Sequence, residues 1–440
     1  MPAPTPPASW YRTEDHPDIW HGKGKVAAVG IGHSPTARRW DWTPPTSVGG
    51  LAIGALRKAM EDAGVSPADV DGLVLDQGTT TGAHWPEGRD IPADWNTFFP
   101  AKGDNVNDGM DRLSHAWILG NMPELSNVTF TMQGPGCMSN AVVVAAEAVA
   151  RGLTHTCLVL KGWHNMEGRY YQGGANAQPT VSGGGKYSAP WAGPASLGTA
   201  LQFQRYLHKY GKTHDMMYPF MIAERRNGLN FPEGYWAQNR PEMYSLEDYI
   251  STRWVAKPAN LLDNDIPIVV AAAYLFTTPE RARNMKQKPV YILNVARDAT
   301  RSRGLTPTLE EVEDATYRTG RKIYEGAGIT EADLSFENMY DGFTLFHVFH
   351  LEGLRFAGVQ PGEALDFFAT EPWNDSWKPV SPSGGNHGSG RTRIWMHTDS
   401  IQQIQGRAGQ RQIRRKAEIG VSGGPMPTGG NFTVWSATPD

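Results

Sequence analysis

Cys137 stands where a glycine-rich turn runs into an alanine- and valine-rich stretch. The preceding run Val128-Thr-Phe-Thr-Met132 is β-prone, Gly134-Pro135-Gly136 breaks it, and the apolar run that follows ends at Gly152. That pattern predicts strand, sharp turn and buried helix with a glycine C-cap. A helix amino end presents unpaired N–H groups and the positive end of the helix dipole. A thiol placed there is expected to have a lowered pKa and to serve as a nucleophile. A buried cysteine with only a packing role fits the same position, because free cysteine is among the most buried residue types.

Three later segments carry further candidates. Glu337-Asn-Met-Tyr340-Asp341-Gly-Phe-Thr344 closes a strand, and strand ends are where α/β proteins place chemistry. Tyr340 and Asp341 are its candidate acid/base pair, although Asp-Gly is also an ordinary turn. Ser383-Gly-Gly-Asn-His387-Gly-Ser-Gly-Arg391 sets a histidine between glycines ahead of a helix. With Gly385 and Gly388 beside it, nothing shields that ring from a ligand. A phosphate cradle is the weaker reading, since the spacing matches no nucleotide fingerprint. Val421-Ser-Gly423-Gly424-Pro-Met-Pro-Thr-Gly-Gly430 offers backbone N–H groups for an oxyanion hole, or simply bends into the last strand.

The elements that must position these residues repeat. Arg57-Lys-Ala-Met-Glu-Asp-Ala-Gly64-Val-Ser-Pro-Ala-Asp-Val70 is matched by Arg321-Lys-Ile-Tyr-Glu-Gly-Ala-Gly328-Ile-Thr-Glu-Ala-Asp-Leu334. Each copy reads as helix, glycine cap, turn and strand. In each half a later glycine-rich turn leads to a helix, from Cys137 and from His387, and then to a strand at Cys157 and at Ala417. The expectation is an α/β protein made of two copies of one unit. Its parts are an arm over 1–24, a first half over 25–165, a loop-rich insertion over 166–258 and a second half over 259–440. Trp85, Trp95, Phe98 and Phe99 in the loop-rich stretch 77–125 are expected to line a substrate space.

Composition narrows the class. A chain of 440 residues is too long for one ordinary core. Its net charge of −4 carries no nucleic-acid footprint. No apolar run reaches the roughly 18 residues of a membrane span. The start, Met-Pro-Ala-Pro-Thr-Pro-Pro, lacks the basic and apolar regions of a signal peptide. Two cysteines in so long a chain point to a reducing, cytoplasmic setting. No Cys/His cluster has metal-ligand spacing, so no metal is expected in this chain.

Taken in order, the helix-start Cys137, the Tyr340-Asp341-x-Phe343 strand end, the His387-Gly388 segment and the C-terminal Gly-Gly loop resemble the thiolase superfamily. The resemblance is to sterol-carrier-protein-type thiolases and their bacterial lipid-transfer relatives, over about residues 25–436. It implies a duplicated thiolase fold, two βαβαβ-type halves layered α/β/α/β/α, with the loop insertion in the first half. It places Cys137 at the family's acylated nucleophile and His387 at the histidine that activates it. Gly342 falls where those thiolases carry a second, basic cysteine, and glycine accepts no proton. Tyr-Asp-x-Phe-Thr is instead similar to the bacterial steroid side-chain aldolases. The resemblance to them implies retro-aldol cleavage of a β-hydroxyacyl-CoA, with Tyr340 and Asp341 in acid/base roles and Tyr340 helped by a lowered pKa. Gly385, Gly388, Gly423 and Gly424 would bind the enolate oxygen or coenzyme A. A thiolase or acyltransferase using Cys137 and His387 is the alternative, and a non-catalytic thiolase-fold subunit a third reading. The resemblance further implies a homodimer and a partner with an OB-fold and a zinc ribbon. Any zinc would sit in that partner, and coenzyme A thioester would be substrate rather than bound cofactor.

Overall fold

The computed structural model describes residues 19–76, 89–134, 137–163, 196–299, 307–370, 378–424 and 429–440. Within them runs one nine-stranded mixed sheet. Its strands are β1 (Ala27–His33), β2 (Gly72–Asp76), β3 (Phe130–Gln133), β4 (Thr156–Trp163), β5 (Val270–Thr277), β6 (Val290–Ala299), β7 (Phe336–Met339), β8 (Ile419–Gly423) and β9 (Gly429–Ser436). Their order across the sheet is β3-β2-β4-β5-β1-β6-β9-β8-β7. The helices used below are α1 (Val48–Ala63), α2 (Met138–Ala150), α3 (Ser196–Tyr210), α4 (Tyr218–Leu229), α5 (Leu309–Ala327), α6 (Thr344–Leu354), α7 (Gly385–Ser389) and α8 (Trp395–Gln405).

The duplication read from sequence is present, but β5, expected in the second half over 259–440, pairs into the first between β1 and β4. β1 and β6 touch through the pairs Ala27–Tyr291 and Ala28–Val290. Outward from that seam the pairing is the same on both sides. β1–β5 and β6–β9 are antiparallel, as are β5–β4 and β9–β8. β4–β2 and β8–β7 are parallel. β3 adds a parallel edge strand to β2, where β7 has only a single parallel bridge between Glu337 and Val380.

Strands buried on both faces need apolar side chains in both directions, and helices to cover them. Along β2, Leu73 and Leu75 point to the side of α1, while Val74 points to the side of α2. α1 therefore covers one outer face. α5 and α6 cover the outer face of the second half, against Leu293, Val421 and Val434. α2 and α8 share the inner cluster with Val159, Phe276, Phe336 and Trp435. The layering is α/β/α/β/α, with the starts of α2 and α8 in the central layer.

The insertion departs from the expected loop. Its described part carries α3 and α4. Phe203, Tyr206 and Leu207 recur at helical spacing and bury against the core of the second half. A composition rich in glycine and aromatics had concealed that period. Trp95 and Phe99 do not line a substrate space either. They pack around Trp117 at ring separations of 6.3 and 4.9 Å, and Phe98 is exposed. Trp85 and most of the expected arm lie outside the described residues, but Trp20 at the arm's end is buried and donates to Glu147 at 2.6 Å.

Both repeat glycines adopt the left-handed conformation at their helix ends, Gly64 with φ 69° and Gly328 with φ 67°. A side chain at either position pays the left-handed penalty of about 1 kcal/mol. A Cβ at Gly328 would also stand 3.0 Å from Ile19. Gly64→Ala and Gly328→Ala are each expected to lower the thermal midpoint. An unchanged midpoint in either variant would refute the shared cap.

Candidate active site

Asp341 organises the ends of the second half. It is fully buried, and its carboxylate accepts the Asn386 and His387 N–H groups, each at 2.8 Å. It thus fastens the end of β7 to the start of α7. The Asn386 side chain continues the link by accepting the Thr392 and Arg393 N–H groups at 3.1 Å. That holds Arg393 at φ 63°, a conformation non-glycine residues rarely adopt. Sequence reading gave Asp341 an acid/base role. The structure gives its oxygens to two backbone donors and to the neighbouring Glu224 carboxyl, contacts that hold this corner of the fold together. Glu224 of α4 lies beside it, and burial together with Asp341's charge pushes its pKa well above the ordinary carboxylate range.

Arg393 returns to the start of this circuit. Its guanidinium hydrogen-bonds the Tyr340 hydroxyl and stands 5.5 Å from the centre of that ring. Tyr340 is fully enclosed, and burial pushes its pKa up to about 12 against the pull of Arg393. The expected lowering is reversed: at neutral pH this phenol is a proton donor. The hydroxyl also lies over Gly342, where any Cβ would fall upon it. Glycine at 342 is thus a steric requirement of the tyrosine.

Cys137 shares the same arginine. It precedes α2 as Arg393 precedes α8 in the other half, and Arg393 acts on its thiol. Burial nonetheless pushes the thiol up, with Asp76 adding and Arg393 and Lys161 only partly offsetting. This corrects the lowered pKa expected from the helix end: desolvation in a closed layer outweighs one helix dipole. Asp76 and Lys161 beside it form a buried ion pair.

His387 lies on another side. Its ring bonds the Asp341 backbone, and Nε2 has no hydrogen-bond partner among the described residues, the Cys137 thiol included. Burial holds its pKa below the ordinary histidine value against Asp341 and Asp263, so the ring is neutral at pH 7. It is one wall of a cavity of about 610 Å³, shared with Asp265, Arg225, Met221, Trp236 and Tyr244. Arg225 is itself buried, 3.9 Å above the Trp236 ring.

The expected glycine sites are used for packing. Gly388 meets the α4 backbone at Glu224 and Gly228, too closely for a side chain. A Cβ at Gly385 would strike the Asp341 carboxylate. The Gly424 N–H is given to the Asn431 carbonyl at 3.0 Å, and the Gly423 carbonyl accepts the Tyr340 N–H at 2.9 Å. Gly424 therefore has no N–H left for an oxyanion, and the loop serves to fix Tyr340. His387 lies within α7 rather than opening the long helix, which begins at Trp395. Sequence reading missed Arg393, Arg391, Asp265 and Glu224. The Arg-Thr-Arg run after His387 was the available signal for the arginines, and nothing local marked Asp265.

Residues 299–433 match the family described as thiolase C-terminal domain-like. Human mitochondrial 3-ketoacyl-CoA thiolase superposes with a TM-score of 0.61 at 10% identity, over 96% of this chain and all of that one. This is a thiolase fold. Within it, the curated relatives are lyases and aldolases as well as thiolases. A 17-hydroxy-3-oxo-4-pregnene-20-carboxyl-CoA lyase of Mycobacterium tuberculosis is 28% identical, across 92% of this chain and 98% of the relative. A steroid side-chain-cleaving aldolase of Thermomonospora curvata is 26% identical, across 79% and 81%. An Ltp2-ChsH2(DUF35) aldolase superposes with a TM-score of 0.74 at 21% identity, over 94% of this chain and 98% of that one.

In this thiolase-fold protein the buried thiols Cys137 and Cys157 both carry raised pKa values, caused first by desolvation. Little thiolate forms near neutral pH. Both are expected to resist a thiol-specific colour reagent in the native protein and to react once it is unfolded. Rapid native labelling of Cys137 would overturn this account of its environment.

Proposed function

We propose that the protein is a carbon–carbon lyase that cleaves a β-hydroxyacyl-CoA thioester by a retro-aldol reaction. The observation that carries this reading is Tyr340: a protonated, buried phenol laid over Gly342 and held by the Arg393 guanidinium. In a retro-aldol step the β-hydroxyl loses its proton as the bond between the α and β carbons breaks, and the electron pair passes to the thioester as an enolate. Tyr340 then protonates the α carbon, while Arg393 and Arg391 favour the negative charge through Coulomb attraction in a dry site. Cys137 takes no covalent part, because its thiol is held protonated.

The named relatives supply a substrate class. 17-Hydroxy-3-oxo-4-pregnene-20-carboxyl-CoA bears a hydroxyl β to its thioester carbonyl, and its retro-aldol cleavage gives a ring ketone and a short acyl-CoA. A bulky, steroid-like side chain of this kind is proposed here too. The cavity suits it: Met221, Trp236, Tyr244 and Leu262 give apolar walls, and the exposed Arg240 and Arg253 give charge for the phosphates of coenzyme A. The Ltp2-ChsH2(DUF35) neighbour supports a second component for this protein too; we propose for it an OB-fold and a zinc ribbon that would carry any zinc. Among the described residues no helix is long and apolar enough to cross a membrane. A homodimer and a cytoplasmic setting complete the proposal.

The test is a pair of variants assayed on that hydroxyacyl-CoA, with a DUF35 protein supplied. Tyr340→Phe is expected to lose about 100-fold or more in kcat, the usual worth of a positioned acid or base. Cys137→Ala should keep kcat within a few-fold. Loss in Cys137→Ala, with an acyl-enzyme trapped in the unmodified protein, would make it an acyltransferase.

A further inference from the structure

The lyase reading leaves one proton unassigned. Something must take it from the β-hydroxyl, and Tyr340 at neutral pH still holds its own. Asp341 is occupied by two N–H donors. We propose that Asp265 is the general base of the site; the proposal rests on the lyase reading above.

The chain places Asp265 between the two halves of the Tyr340–Arg393 circuit. Asn264 bridges to Phe343, and the Asp265 N–H donates to the Gly342 carbonyl at 3.3 Å. On the other side the Arg391 N–H donates to the Ile266 carbonyl at 2.7 Å, and Pro267 bridges to Arg391. Residues 264–267 are thus a strap, paired along one edge with the turn under the Tyr340 hydroxyl and along the other with the arginine segment. Its one carboxylate is buried and belongs to the cavity wall that also holds His387.

That carboxylate is held by charge alone. Neither oxygen accepts a hydrogen bond, and among the described residues it is the only carboxylate with both oxygens buried and unbonded. The Arg391 Nε is 3.8 Å away, near enough to act on it by charge but beyond hydrogen bonding. Asp263, two residues earlier, shows the contrast: it is saturated by Tyr249 at 2.5 Å, His214 at 2.7 Å and Thr344 at 3.0 Å. A buried, unbonded carboxylate is costly, and such groups belong at functional sites more often than in packing. Burial raises its pKa to about 7, with Arg391 and Arg393 opposing and Asp341 adding. Tyr340 faces it as well, and His387 shares the cavity wall. A base poised near the working pH combines availability with strength.

The step balances. An Asp265 oxygen takes the hydroxyl proton, the C–O bond becomes a carbonyl, the carbon–carbon bond breaks, and its electron pair forms the thioester enolate. Tyr340 protonates the α carbon. After release, the Asp265 proton leaves through the cavity and Tyr340 is reprotonated, so no oxidant or reductant enters.

Asp265→Asn separates this role from that of Tyr340. Two rates are read in the full-length protein with the DUF35 protein supplied. One is cleavage of the hydroxyacyl-CoA; the other is exchange of the α-hydrogens of the short acyl-CoA product with deuterated water, which needs only enolate formation at the Tyr340 end. Asp265→Asn is expected to lose about 100-fold or more in cleavage while exchange stays within a few-fold. The fall in kcat/KM of the unmodified protein below about pH 7 should vanish in the residual activity. Asp265→Glu should restore part of both. Tyr340→Phe should lose cleavage and exchange together. The thermal midpoint of Asp265→Asn is expected to fall, because Arg391 loses its charge partner, so both rates are read below the melting range of the folded variant. Unmodified cleavage in Asp265→Asn, or equal loss of both rates in a folded variant, overturns the assignment and leaves the lyase reading standing. An unmodified protein that neither cleaves nor exchanges overturns both.

Discussion

The Asp341 carboxylate is the constraint on which the site depends. Two backbone N–H groups of α7 converge on it, and this charge-assisted pair fixes where the glycine-rich segment lies against the end of β7. Asn386, positioned by that contact, holds the turn that aims Arg393 at Tyr340. Tyr340 and Asp341 in one segment, and Asn386 and Arg393 in another, therefore form one closed circuit. Its glycines are narrow because of it: Gly385 gives room to the carboxylate, Gly388 to α4, and Gly342 to the tyrosine hydroxyl.

The duplicated architecture explains why this circuit faces Cys137. The two halves meet at the seam between β1 and β6, and their inner helices α2 and α8 pack in one shared layer. The starts of those helices converge, which brings Cys137, the residue before α2, under the influence of Arg393, two residues before α8. A buried thiol thus faces the circuit from the start of α2. The layer is dry, so desolvation disfavours the thiolate more than one arginine and one helix end favour it.

The insertion contributes more than cover. Through Glu224 it sets a second buried carboxyl group, its pKa raised, against Asp341, and through Arg225, Trp236 and Tyr244 it builds the outer wall of the cavity. The cavity and the inner hydrogen-bond circuit are therefore coupled through α4, whose backbone touches Gly388 directly.

The sequence by itself determined the repeated unit, because helix periodicity and a left-handed glycine cap are local and leave the same marks at Gly64 and Gly328. It determined the strands for the same reason: buried on both faces, they read as continuous apolar runs. It marked Cys137, Tyr340, Asp341 and His387 as the chemistry-bearing residues, since each sits at a strand or helix boundary. Only the tertiary structure decided what each does. The pKa values of Cys137 and Tyr340 moved up rather than down because burial is a property of the assembled layers. Asp341 and the glycines proved to be scaffolding because their partners lie far along the chain, at Asn386, Glu224 and Asn431. Asp265 was illegible for the same physical reason. An aspartate before an apolar strand looks ordinary until the fold strips away its water and its hydrogen-bond donors.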